Sequence, residues 1–306
     1  MYNMLNANIT AILNVLNQTR AGSPQYHVAE YQWLLNNFTS TLSPGYKQRY
    51  ANYWGMNPFF PATALPAYFS LLTAASAHKP VSYANALMAF YPVSRRIDKS
   101  FISKLCHTCS PHLPLIDSYI SNFYFFSQPP LGLSVLNKVA FYDGFHRFLQ
   151  AESKRVLTTG VLTPAINAFR AYFSATPSAI TDEKIIDSLI WGWSQVRGVT
   201  SGDASVTLYP YVPTLPTMTP RQKDGVWRKL KRDVEKRREQ GIQIGTIVLR
   251  SDPNGIPPPD WFLEWCEEAG INIIFIDNDI NGEIIADETT IPDWMREAVS
   301  EKSKDC

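Results

Sequence analysis

The chain has 306 residues, 45% of them hydrophobic and 13% aromatic, with a formal net charge of +1. That composition excludes a disordered chain, and the length predicts about two hydrophobic cores rather than one. No run approaches the roughly eighteen apolar residues of a membrane span, and no charged-then-apolar signal opens the chain, so a cytoplasmic protein without a membrane partner is expected.

The near-neutral total conceals an asymmetry. From Ser251 to the end there are 14 acidic and 3 basic residues, whereas the preceding residues carry 25 basic and 13 acidic ones. A basic body predicts a polyanionic partner, with nucleic acid the commonest. The competing reading is that the two halves attract each other.

In chain order, Met4, Leu5, Ile9, Ile12, Leu13 and Leu16 recur at helical spacing, and Ala21-Gly22-Ser23-Pro24 ends that helix before a second at about 26–37. Tyr53-Trp54-Gly55-Met56-Asn57-Pro58-Phe59-Phe60 is an aromatic cluster broken by Gly and Pro. It suits either a helix junction or, if exposed, a pocket for an extruded base, with Trp54, Asn57 and Phe59 as its members. Apolar helices follow at about 61–77 and 82–90. Arg95, Arg96 and Lys99 then precede a helix start, a place where amides and cations favour phosphate, although a solvated basic turn fits equally.

The central stretch, 99–126, reads KSFISKLCHTCSPHLPLIDSYISNFYFF: a short helix, a Pro-broken loop, then Asp117 at the start of an aromatic helix. A carboxylate in that position either caps the helix or serves as a partly desolvated acid or base. Cys106 and Cys109, with His107 and His112, lack the second ligand pair that a structural zinc site needs, so buried thiols and no metal or other cofactor are expected.

Phe101, Ser103, Lys104, Pro114 and Asp117 together resemble the centre of the helix-hairpin-helix DNA glycosylase superfamily, in the bacterial group with the oxoguanine-glycosylase fold. The resemblance covers roughly 46–198. It implies a helical domain in which Asp117 faces the sugar of a flipped nucleotide in double-stranded DNA, and relatives in this group include an anti-phage glycosylase. Where the family has a Gly-rich hairpin, this chain reads Tyr91-Pro92-Val93-Ser94-Arg95-Arg96-Ile97-Asp98, so the DNA grip is built differently or is absent, with Arg95, Arg96, Lys99 and Ser103 the candidates for it. Lys104 precedes Asp117 by thirteen residues, closer than the nucleophilic lysine of bifunctional members. The resemblance therefore implies a monofunctional enzyme; Lys104 itself reads as a group that holds phosphate or pairs with Asp117, with a solvated lysine or a nucleophile as the alternatives.

Long helices are predicted from about 131 to 155 and 163 to 174, with His146 among core aromatics, and another starts after Thr181. Pro210, Pro213, Pro216 and Pro220 then read as an extended connector. Residues 225–240 carry seven basic and three acidic side chains on a helical pattern, which suits a solvated helix or one that touches DNA. A strand at 244–249, a helix at 258–269 and a strand at 271–276 form a βαβ unit. Asp277, Asp279, Asn281, Gly282 and Glu288 match a calcium-loop pattern, but Asn281-Gly282 also makes an ordinary hairpin turn. Asp252, Asp277 and Asp279 leave a weaker metal-dependent alternative.

The expected architecture is mostly α: a helical glycosylase-like domain (1–205), a Pro-rich linker (206–224) and a small C-terminal α/β domain (225–306). The expected function is a DNA glycosylase leaving an abasic site, in repair or phage defence. The alternative is a non-catalytic DNA-binding or sensing protein that uses the C-terminal domain for recruitment.

Overall fold

The computed structural model describes residues 1–18, 27–56, 60–79, 81–173, 180–196, 205–213, 217–251, 257–277 and 291–300. The N-terminal body comprises α1 (Tyr2–Ala7), α2 (Ile9–Asn17), α3 (His27–Asn36), α4 (Pro44–Tyr53), α5 (Leu65–Ala77), α6 (Tyr83–Ser94), α7 (Lys99–Cys109), α8 (Ser118–Phe123), α9 (Val135–Thr159), α10 (Thr163–Tyr172) and α11 (Asp182–Gln195). After it come β1 (Val206–Leu208), α12 (Pro220–Glu239), β2 (Ile244–Ser251), α13 (Asp260–Glu268), β3 (Asn272–Asp277) and α14 (Asp293–Ser300). The mostly α expectation therefore holds, with one small sheet near the C-terminus. Among the described residues no helix is long and apolar enough to cross a membrane.

Helix starts follow local chemistry. Ser43, Ser82, Asp117, Ser134, Thr181 and Thr219 each accept an amide N–H from the first turn of their helix, satisfying donors that a helix start leaves unpaired. Packing then decides assembly. Phe126 stacks on Phe145 with ring centres 4.0 Å apart, and Phe60 meets Phe101 edge-on at 5.0 Å. Tyr68 joins α5 to α7 by donating to the Phe101 carbonyl at 2.9 Å. At Gly192, α11 crosses α2 so closely that a Cβ would meet Ile12 at 2.9 Å and Leu16 at 3.2 Å.

The three strands are parallel in the order β1-β2-β3, with Ile247 opposite Ile273 and Val248 opposite Ile274. Val226, Trp227, Leu230 and Val234 form the buried face of α12, and Trp227 packs on Phe262 of α13 at 4.8 Å. The stretch read as a linker is partly structural: its first residues are β1, paired with β2, and its last belong to α12. The Met1 ammonium donates to the Thr207 carbonyl, and the Tyr211 amide donates to the Tyr124 carbonyl at 2.8 Å. The chain also returns to the helical body at its far end, where α14 packs on α5 and α6 and Trp294 stacks on His78 at 4.5 Å.

A buried charge network fastens the sheet to α9. Glu152, 1% exposed, accepts from Arg155, from Arg250 at 2.7 Å and from the Tyr2 hydroxyl at 2.7 Å. Burial alone would raise its pKa, but the hydrogen bonds and charge of Arg155, with Tyr2 and Arg250, outweigh that and lower it.

Candidate active site

Asp117 is the N-cap of α8, with Oδ1 accepting the Ile120 amide at 2.8 Å. Its other oxygen has no hydrogen-bond partner among the described residues. The buried pair Leu115-Ile116 delivers it, and Ser103 of α7 fastens that segment. Ser103 Oγ accepts the Ile116 N–H at 2.9 Å and donates to the Ser100 carbonyl at 2.9 Å. Fully buried, Ser103 does not offer a contact to DNA. Its place in the motif is explained by its hold on the loop before Asp117.

Lys104 donates from Nζ to the Trp54 carbonyl at 2.9 Å. Trp54 follows the last residue of α4, so this carbonyl is one of the acceptors that a helix end leaves without an internal partner. The ammonium lies 4.8 Å from the Phe101 ring centre and 5.6 Å from that of Trp54. Burial lowers its pKa from 10.5 to about 8, against the favourable charges of Asp117 and Asp187 and with the help of Lys184. Asp117 is perturbed the other way. Burial and then Asp187 raise its pKa, and the Ile120 amide, Lys104 and Lys184 pull it down without cancelling the rise.

Lys184 and Asp187 on α11 are the site residues that the sequence reading missed. Lys184 is 2% exposed, pairs with Asp187 Oδ2 at 2.5 Å and places its ammonium 5.0 Å from the Tyr31 ring centre and 5.5 Å from that of Trp54. The available signal was a lysine in phase with the buried residues Ile185, Ser188 and Leu189 of the same helix. Two ammonium groups and two carboxylates thus interact with one another, and both ammonium groups lie near the ring of Trp54, whose buried indole N–H has no acceptor among the described residues.

His107 borders this cluster but is committed. The Leu113 carbonyl can only accept, so Nδ1 carries the proton at 2.6 Å from it and Nε2 accepts from the Tyr31 hydroxyl at 2.7 Å. Burial, then Lys184, push the imidazole pKa down to about 3. His107 is therefore a neutral positioning group. His146 is a core residue, stacked on Tyr83 at 4.3 Å.

The predicted phosphate contacts divide. Arg95 is exposed and closes α6 in the left-handed region at φ 57°, and exposed Arg96 pairs with Asp98 at 2.5 Å. Lys99 instead turns its ammonium toward Phe126 and Tyr142, at 5.3 and 4.8 Å, and donates to Gln128 Oε1 at 3.0 Å. Burial lowers the Lys99 pKa to about 8. Asn57 and Phe59, expected in a base pocket, lie outside the described residues, as do Asp252, Asp279, Asn281, Gly282 and Glu288 of the metal readings.

Cys106 and Cys109 are buried free thiols, and among the described residues no group of three or more His, Cys, Asp and Glu could hold a metal ion. Two clefts, of about 450 Å³ beside Arg238 and Gly241 and about 390 Å³ beside His112 and Gln150, are lined by none of the four charged site residues. Asp117 and Lys104 carry opposed pKa shifts with specific charged partners, which makes them the candidate functional groups. No family model, curated protein or solved structure matches this chain.

Proposed function

We propose that the protein is a monofunctional DNA glycosylase that extrudes a modified or damaged base from double-stranded DNA and hydrolyses its N-glycosidic bond. The observation that carries this reading is Asp117: a half-buried carboxylate with one oxygen uncommitted among the described residues, which feels the charge of Lys104, whose ammonium lies against the rings of Phe101 and Trp54. Cleavage of the glycosidic bond develops positive charge on the deoxyribose. A carboxylate held against the sugar stabilises that charge and orients or deprotonates the attacking water. Lys104 keeps its amine on the Trp54 carbonyl, which favours water over the amine as nucleophile. Its charge holds Asp117 toward the ionised form that this role requires.

The substrate implied by the same reading is DNA with altered bases, either damaged or hypermodified as in phage genomes. The test is to incubate the protein with both kinds of DNA and with unmodified bacterial DNA, and to measure released bases and abasic sites by mass spectrometry. Wild type should release a base, Asp117→Asn should lower release about 100-fold or more, and borohydride should trap no covalent adduct. Asparagine keeps the helix cap, so loss of turnover with unchanged stability separates catalysis from capping. The second reading, a DNA-binding protein without turnover, rests on the cap bond to Ile120. It wins if no DNA yields a base while binding persists.

A further inference from the structure

We propose that α12 is a phosphate-binding rail that docks the backbone of double-stranded DNA; the proposal rests on DNA being the partner. The helix has 20 residues and is about 30 Å long at 1.5 Å per residue. It starts firmly, with Pro220 in its first turn and a reciprocal Thr219–Gln222 capping box. At its N-terminal end Gln222 donates to the Leu131 carbonyl at 3.3 Å. At its C-terminal end half-buried Arg237 donates to the Asn122 carbonyl of α8 and lies 3.9 Å over the Phe125 ring. The rail is thus pinned to the element that Asp117 caps.

At about 100° per residue, Arg221, Gly225, Arg228, Arg232 and Lys236 share one stripe, opposite Trp227, Leu230 and Val234, and all five are exposed. Three of the four acids of the helix pair within it, Asp224 with Arg228 at 2.6 Å, Glu235 with Lys231 at 3.4 Å, and Asp233 with Lys229, while Glu239 at its last residue makes no ion pair among the described residues. Arg221, Arg232 and Lys236 have no acidic partner among the described residues. From Arg221 to Lys236 the stripe runs about 22 Å, which matches about six base pairs of duplex measured along its axis at 3.4 Å each.

Gly225 supports a close partner. Glycine inside a helix costs about 1 kcal/mol relative to alanine, yet among the described residues nothing lies within 4 Å of the position its Cβ would take. No internal packing calls for it. A bare position in a basic stripe lets a backbone approach the helix between flanking arginines.

The test uses the full chain with Arg221→Gln, Arg232→Gln and Lys236→Gln combined, since these side chains make no described ion pair. Binding to duplex DNA is measured against salt concentration, and base release is measured at saturating protein. Loss of three phosphate contacts should reduce the slope of log affinity on log salt by about 2.7 and weaken binding by up to about 500-fold at ~0.1 M salt, while release at saturation stays near wild type. An unchanged slope overturns the rail, and base release by wild type in that case leaves the glycosylase reading standing. A reduced slope with no release from any DNA keeps the rail and removes the glycosylase. A change in thermal stability alone assigns the stripe to an acidic segment of the chain itself and also overturns the rail.

Discussion

Lys104→Met should stabilise the protein at neutral pH while it impairs turnover. Burial holds the Lys104 ammonium near pKa 8 rather than 10.5, and at about 1.36 kcal/mol per pH unit the folded state carries roughly 3 kcal/mol against the charged form. Methionine keeps the apolar stem but orphans the Trp54 carbonyl, which costs about 1–3 kcal/mol. The net gain at pH 7 should be about 0–2 kcal/mol. The pH dependence is the sharper readout. Because the folded pKa is depressed, the unfolded chain binds the proton more tightly between about pH 8 and 10.5, and wild-type stability recovers as pH rises through that window. The gain of the variant over wild type should therefore shrink by about 2 kcal/mol between pH 7 and 9.5. Urea unfolding of both proteins at the two pH values measures the difference, and other titrating groups such as Lys99 cancel in it. A difference that is flat with pH refutes the desolvated ammonium.

Two further perturbations test the supports of the site. Glu152→Gln removes the acid that holds Arg155 and Arg250, and leaving buried cations uncompensated should cost about 3–5 kcal/mol in chemical denaturation. The Glu152 pKa is lowered from 4.5, so its stabilisation is complete above about pH 4.5 and is lost below it as the carboxylate protonates; the variant should lack that acid-induced loss. Ser103→Ala orphans the buried Ile116 amide and should cost about 1–3 kcal/mol. It should also lower base release more than DNA affinity, because the loop before Asp117 loosens without loss of a phosphate contact.

Most of the order of helices was legible because its signals are local, but α4 escaped although Ser43-Pro44 spells its start. Pro111 and Pro114 break the chain between α7 and α8, Asp117 caps α8, and the aromatic phase of Phe141, Phe145, Phe148 and Leu149 identifies the buried face of α9. β1 escaped because Val206-Thr207-Leu208 has no strand signature apart from the pairing that β2 gives it. The start of α12 escaped because Pro220 was counted with the connector, although Thr219-Pro220-Arg221-Gln222 spells a capping box. α14 lies in an acid-rich stretch, and its buried face, Met295, Ala298 and Val299, has meaning only against α5 and α6. The candidate site was half legible for the same reason. Lys104 and Asp117 share one local motif, whereas Lys184 and Asp187 arrive on a helix some seventy residues later in the chain.

Those two residues supply the test that no local reading could frame. The negative charge of Asp187 raises the pKa of Asp117, and the positive charge of Lys184 lowers it. If Asp117 must be ionised to act, its pKa sets the acid limb of the pH–rate profile for base release. Asp187→Asn removes the raising charge and frees Lys184, and both effects stabilise the Asp117 carboxylate, so the acid limb should move to lower pH. Lys184→Met removes a lowering charge and frees Asp187, so the limb should move to higher pH. Substitutions three residues apart on one helix then shift one profile in opposite directions, an outcome that general loss of packing cannot produce. Single-turnover rates across the acid range decide it, and parallel or absent shifts would mean that Asp117 is not the group whose ionisation controls the reaction.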